Sequence, residues 1–147
     1  MCSSDLFRAA VGATSGLQSF FEPEGHLTNG SFVREFSAIF SENIKESVVT
    51  VVAATELERY FKPNTKVLVK IDVEGFEPQL LAAMSTQIEA HKPDLLIEVL
   101  EGSPAQLDAI KALQNYDKFI ITNKGLQRSD RLYASDVDRD WLLVARP

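Results

Sequence analysis

The chain predicts an α/β fold with a mostly parallel sheet and an antiparallel edge pair at the C-terminus. Three observations predict it. Residues 67–73 and 95–100 are near-continuous apolar runs of strand length, the mark of strands buried on both faces, as parallel strands are. Between them, Leu80, Leu81, Met84 and Ile88 form one helical stripe. The middle of the chain thus alternates strand, helix, strand, helix, strand, and such alternation implies parallel pairing through right-handed crossovers.

The elements follow in order. Residues 7–12 read as a short strand, Gly12 to Gly16 as a hairpin turn, and residues 17–21 as a second strand. A loop holding Pro23, Gly25, Asn29 and Gly30 comes next. Ser31 then caps a helix carrying Val33, Phe36, Ile39 and Phe40 on one side. Residues 48–53 are β-branched and strand-like. A short helix starts at Thr55 and stops at Pro63 and Asn64. Gly75 turns the chain after the strand at 67–73, and Pro78 suits an early helical position, where its missing N–H has no partner anyway. Pro93 stops that helix. Ser103, Pro104, Ala105 and Gln106 read as a capping box opening a helix with Leu107, Ile110 and Leu113. A strand at 119–122, a turn at Asn123 to Gly125 and a last strand at 141–145 form the expected edge pair. The mixed arginines and aspartates between Arg128 and Arg139 read as a solvated loop.

Bulk properties bound the function. A chain of 147 residues with 45% hydrophobic content makes one domain or most of one, with a real core. A net charge of -6 repels phosphate backbones and argues against nucleic-acid partners. No apolar run approaches the roughly 18 residues of a membrane span, so no membrane partner is expected. Cys2 alone makes neither an internal disulfide nor a zinc site, and with His26 and His91 the only histidines, no transition-metal cluster is expected. A cytoplasmic location is the expectation. Residues 1–6, Met-Cys-Ser-Ser-Asp-Leu, match the translation of a common DNA-sequencing adapter end and read as a non-native leader. The natural chain would then begin near Phe7.

Chemistry is expected beyond the carboxyl ends of the buried strands. Asp72 and Glu74 sit there, and an extended strand would put both carboxylates on one side. Such a pair can take a hydroxyl proton, hold an amine or a ribose, or bind a hard metal ion. The plainer alternative is that one of them caps the following helix. Glu98, near the end of the next strand, is either a third acid for a magnesium site or a strand-end charge meeting solvent or Lys70.

The string Leu68-Val69-Lys70-Ile71-Asp72-Val73-Glu74-Gly75-Phe76-Glu77, followed after a helix by Pro93-Asp94-Leu95-Leu96-Ile97-Glu98-Val99, resembles the hallmark of FkbM-type methyltransferases. Ala9-Ala10-Val11-Gly12 with Gly16, the loop Thr28-Asn29-Gly30-Ser31, and Val52-Ala53-Ala54-Thr55-Glu56-Leu57 are similar to further stretches of that family. In the last, glutamate precedes leucine where the family usually has threonine-leucine-aspartate. The resemblance covers residues 7–99 well and the rest loosely.

It implies a Rossmann-like sheet with helices on both faces, S-adenosylmethionine as cofactor, and methyl transfer to a hydroxyl of a small-molecule or glycan acceptor. By position, Asp72 is then the first choice for the base or for the residue that orients the acceptor, and Glu74 supports it. Val11 and Gly12 would line the adenine side as the end of the family's third strand. The departure is that no Gly-x-Gly exists among the seven glycines, so the turn that normally grips such a cofactor is missing. Residues 7–147 therefore read as the C-terminal part of a methyltransferase domain, inactive alone, with unpaired strand edges where the first two strands belong. A non-catalytic α/β interaction module of the same ancestry is the alternative.

Overall fold

The computed structural model describes residues 9–26, 28–62 and 65–146. The expected leader, the start of the expected first strand, and the helix stop at Pro63 and Asn64 lie outside the described residues. Within them the chain is mixed α/β, and its strands form two sheets.

In the smaller sheet, β3 (Ile44–Ala53) lies between β1 (Ala10–Gly12) and β2 (Gly16–Pro23). β1 runs parallel to β3, with Val11 beside Val52, and β2 runs antiparallel, with Leu17 opposite Thr50. The segment between Gly12 and Gly16 is therefore not the expected hairpin turn, because the strands it joins pair with opposite sides of β3. The Ser15 hydroxyl accepts the Ala53 N–H at 2.8 Å and pins that crossing to the end of β3.

The larger sheet contains β4 (Leu68–Ile71), β5 (Asp94–Glu98), β6 (Tyr116–Thr122), β7 (Gly125–Ser129) and β8 (Asp140–Ala145), in the order β4-β5-β8-β6-β7. β4 and β5 are parallel, whereas β5–β8, β8–β6 and β6–β7 are antiparallel. The expected mostly parallel sheet is thus corrected to a mixed one. The 119–122 and 141–145 segments do pair antiparallel, but not at the edge. β8 inserts at the middle because Trp141 and Leu143, both fully buried, supply core contacts there. The true edge is β7, joined to β6 by Asn123 and Lys124, a connection too short for anything but antiparallel pairing.

β4 is also not buried on both faces. It pairs on one side only among the described residues, and Leu68 is 60% exposed.

Helices are short. α1 (Arg34–Ser37) is one turn, and Ser31 does not cap it: Val33 holds that position. Ile39, expected on its apolar stripe, is exposed. The segment after β3 is a 3₁₀ helix over Ala54–Tyr60. The long helix expected after Gly75 is broken at Met84 into α2 (Glu77–Ala83) and α3 (Ser85–His91). Its stripe is still buried, with Leu81 and Ile88 at zero exposure. Each such side chain contributes about 1.5–3 kcal/mol of hydrophobic stabilisation. α4 (Pro104–Asp108) lacks its capping box, because the Ser103 hydroxyl donates to the Leu100 carbonyl and Gln106 donates to Gly102.

The core joins this stripe to Leu95, Ile97, Val99, Leu107, Leu113, Ile120, Trp141 and Leu143. Val11 and Leu57 from the smaller sheet's side pack against it. No helix among the described residues is long and apolar enough to cross a membrane.

Candidate functional site

β4 and β5 are parallel, so their carboxyl ends open on one side of the sheet. Asp72 follows β4 directly, and Glu98 is the last residue of β5. Between Asp72 and α2 the chain does not stay extended. Glu74 adopts φ 51°, a left-handed conformation that costs a non-glycine residue about 1–2 kcal/mol, and Gly75 follows at φ 87°. The argument that strand alternation aligns the two carboxylates therefore fails, yet both reach the same cavity.

That cavity has a volume of about 680 Å³, within the common range of small-molecule sites. It is lined by β1 and β4, each the outer strand of its sheet among the described residues, with Val11 from the one and Asp72 and Glu74 following the other. Phe20, Phe32 and Phe76 form an aromatic wall, with ring centroids 5.4 and 5.3 Å apart along the series. Gly12 is not among the lining residues. A Cβ there would come within 2.9 Å of a Val51 methyl, so this glycine serves the contact between β1 and β3.

Glu74 also faces a second, larger cavity of about 1100 Å³, together with Glu98, Phe36 and Tyr133. Glu74 thus lines both spaces.

The acids differ in environment. Asp72 is half-exposed and its Oδ2 accepts from Lys70 Nζ at 3.0 Å. The Glu74 carboxylate makes no hydrogen bond among the described residues. Burial raises its pKa, and the neighbouring Asp72 and Glu77 add to this against Arg139. Glu98 is raised from 4.5 to about 7, first by burial and then by Glu74, Asp72 and Glu77, with Arg139 opposing. The nearest Arg139 nitrogen is 3.9 Å from its Oε1. Glu98 is therefore not a solvated strand-end charge, and Lys70 bonds Asp72 while Glu98 adds only a minor Coulombic attraction to it. A carboxyl titrating near neutrality suits proton transfer. Among the described residues, no three histidine, cysteine, aspartate or glutamate side chains converge as metal ligands, so the three-carboxylate magnesium arrangement is not formed.

Glu77, which sequence reasoning passed over, and Ser31, which it read only as a helix cap, hold this turn. Glu77 is fully buried, and its Oε1 accepts the Val73 N–H at 2.9 Å. The bond ties the turn before α2 to the helix's first residue, while the helix start at Phe76 has no side-chain cap. Ser31, 1% exposed, donates to the Glu74 carbonyl at 2.7 Å and accepts the Val33 N–H at 3.0 Å. A signal for Glu77 was present: an acid directly before the proline of the first helical turn, two residues after a glycine. None existed for Ser31, whose partner is 43 residues away. Of the histidines, His91 stacks on Phe61 and meets the Glu58 carboxylate, and His26 lies against Phe40, both outside this site.

A family model described as the methyltransferase FkbM domain matches residues 3–120. No curated protein and no solved structure gives a match.

Proposed function

The chain belongs to the FkbM methyltransferase domain family, and from that premise we propose that it forms the acceptor-side part of an S-adenosylmethionine-dependent O-methyltransferase. The observation that carries the reading is one cavity that collects Val11, Asp72 and Glu74 at the carboxyl end of β4.

The residues present suit part of such a cofactor. A sulfonium and an ammonium are cations, and Asp72, Glu74 and the faces of Phe20, Phe32 and Phe76 offer them opposite charge and π density. Val11 offers an apolar edge to a base ring. What the sequence lacks is a glycine-rich turn for close backbone approach. The edges of β1 and β4 at the cavity, unpaired among the described residues, support a Rossmann-like sheet completed by further strands there. The parallel β4 and β5, linked through α2 and α3, support the same arrangement as a βαβ unit. This chain alone is then inactive.

When bound, the donor supplies an electrophilic methyl group on a sulfonium. The chain's own part is to hold the acceptor oxygen in line and to receive its proton. Sequence position favoured Asp72 as base. The surroundings favour Glu74 for that step, because its carboxylate makes no hydrogen bond among the described residues and the residue lines both cavities, while Lys70 bonds Asp72. Asp72 then orients the donor side.

Calorimetry with S-adenosylmethionine tests the reading. The chain alone should show no binding, and the chain extended in frame through its upstream coding sequence should bind. Micromolar binding by the chain alone would overturn the division of the site, and failure of the extended chain would overturn the donor assignment. The missing glycine turn also favours a second reading, a non-catalytic α/β module. It requires cooperative melting of residues 7–147 alone.

A further inference from the structure

The second cavity is built differently from the first. Its floor is aromatic: Phe36 and Phe40 meet edge to face at 5.3 Å, and Tyr133 stands edge-on to Trp141 at 4.9 Å. Trp141 is fully buried, so Tyr133 rests on a rigid support. The rim is acidic. Glu35, Glu74, Glu98, Glu101 and Asp136 line it, against Arg139 as the one basic residue among the described lining. Arg139 is already engaged with Glu98.

Like charges gathered around a concavity with low-dielectric walls focus a field that draws in the opposite sign and repels the same sign. Aromatic faces reinforce the preference for a cation. They also suit the C–H faces of a ring bearing hydroxyls. An acceptor with a phosphate or carboxylate would meet five carboxyl side chains here against the single guanidinium of Arg139.

The geometry points to an amine-bearing polyol, such as an amino sugar with a free protonated amine, as the acceptor, its amine held by the acidic rim and its hydroxyl turned to Glu74. The placement of the hydroxyl rests on the methyl-transfer reading above. The selection of the amine rests on the second cavity alone.

The test is a titration of the full chain, followed by NMR, with glucosamine, glucose and glucuronate as probes. Glucosamine should bind at least about tenfold more tightly than glucose, a difference of about 1.4 kcal/mol, and glucuronate should be weakest. Glu98→Gln should reduce that preference at pH 7 and above, where Glu98 carries charge. So should Glu35→Gln combined with Glu101→Gln, a pair of exposed positions whose change leaves the core untouched. Equal affinity for glucosamine and glucose, tighter binding of glucuronate, no binding of any probe, or a preference unchanged in both variants would each overturn the inference. A chain that selects glucosamine but whose extended form never binds the methyl donor removes only the methyl-transfer reading. An extended chain that binds the donor and ignores the amine removes only this inference.

Discussion

Glu77 Oε1 accepts the Val73 backbone N–H at 2.9 Å from a position with no solvent exposure. A helix's first residue thereby reaches back across the turn and fixes the residue between the two candidate catalytic acids. Neither Asp72 nor Glu74 caps α2, whose start at Phe76 has no side-chain cap. Burial raises the Glu77 pKa, and its backbone N–H partners, Val73 first, partly oppose that. Removing the acceptor orphans a backbone donor, which costs about 1–3 kcal/mol. Glu77→Ala should therefore lose about that much stability, read from urea unfolding. Glu77→Gln should keep most of it, since the amide oxygen can still accept. Equal losses in the two variants would refute the role.

Glu98 sets a pH dependence of stability. Its ordinary value is 4.5 and its folded value is about 7. Between those values the folded chain holds a proton that the unfolded chain has lost. Unfolding then releases a proton, and stability falls as pH rises through the window. The contribution is fully present below about 4.5 and gone above about 7. Glu74 and Glu77 are shifted in the same direction and steepen the fall. The urea midpoint should accordingly drop from pH 5 to pH 8, and the drop should shrink in Glu98→Gln. A midpoint that rises over this range would contradict the assignment.

The acids of this site could be read in the sequence because a strand, an acid pair and a glycine follow one another locally. Asp72 and Glu74 were found that way, although the reason offered, strand alternation, does not hold once Glu74 turns left-handed. The glycine before Glu77 and the proline after it could place that acid in the first helical turn, but a linear pattern does not show that its carboxylate turns back toward the preceding strand. Strand order was the larger failure. Chain order carries no information on where β8 inserts, and that is decided by burial of Trp141 and Leu143. β7 was missed because Leu126, Gln127 and Arg128 are all exposed on an edge, where no apolar alternation is needed.

Gly75 is required twice over. Its φ of 87° disfavours any side chain, and a Cβ would come within 2.9 Å of the Phe36 ring. Gly102 provides the control, with φ 84° and nothing within 4 Å of its Cβ position. Both glycine-to-alanine changes should destabilise by at least about 1 kcal/mol through the backbone. Gly75→Ala should lose more, by the cost of displacing Phe36, and should weaken glucosamine binding while Gly102→Ala does not. Matching unfolding midpoints for the two variants would show that the Phe36 contact is of no consequence.

Ser31 ties the loop before α1 to the turn after β4. Its hydroxyl satisfies the Glu74 carbonyl at 2.7 Å and the Val33 N–H at 3.0 Å from a buried position. Ser31→Ala leaves both groups without that partner, and the stability cost should be about 1–3 kcal/mol. Ser31→Thr retains the hydroxyl and should recover part of it. Hydrogen exchange separates this role from general loosening. The Val33 amide should exchange faster in Ser31→Ala, while the amides of Leu95 and Ile97, within the paired β5, keep their protection. Because Glu74 is held by its own carbonyl, the same variant should blunt selection of glucosamine over glucose. Selection that survives intact in a folded Ser31→Ala chain would mean that the Glu74 carboxylate is positioned by something other than this bond.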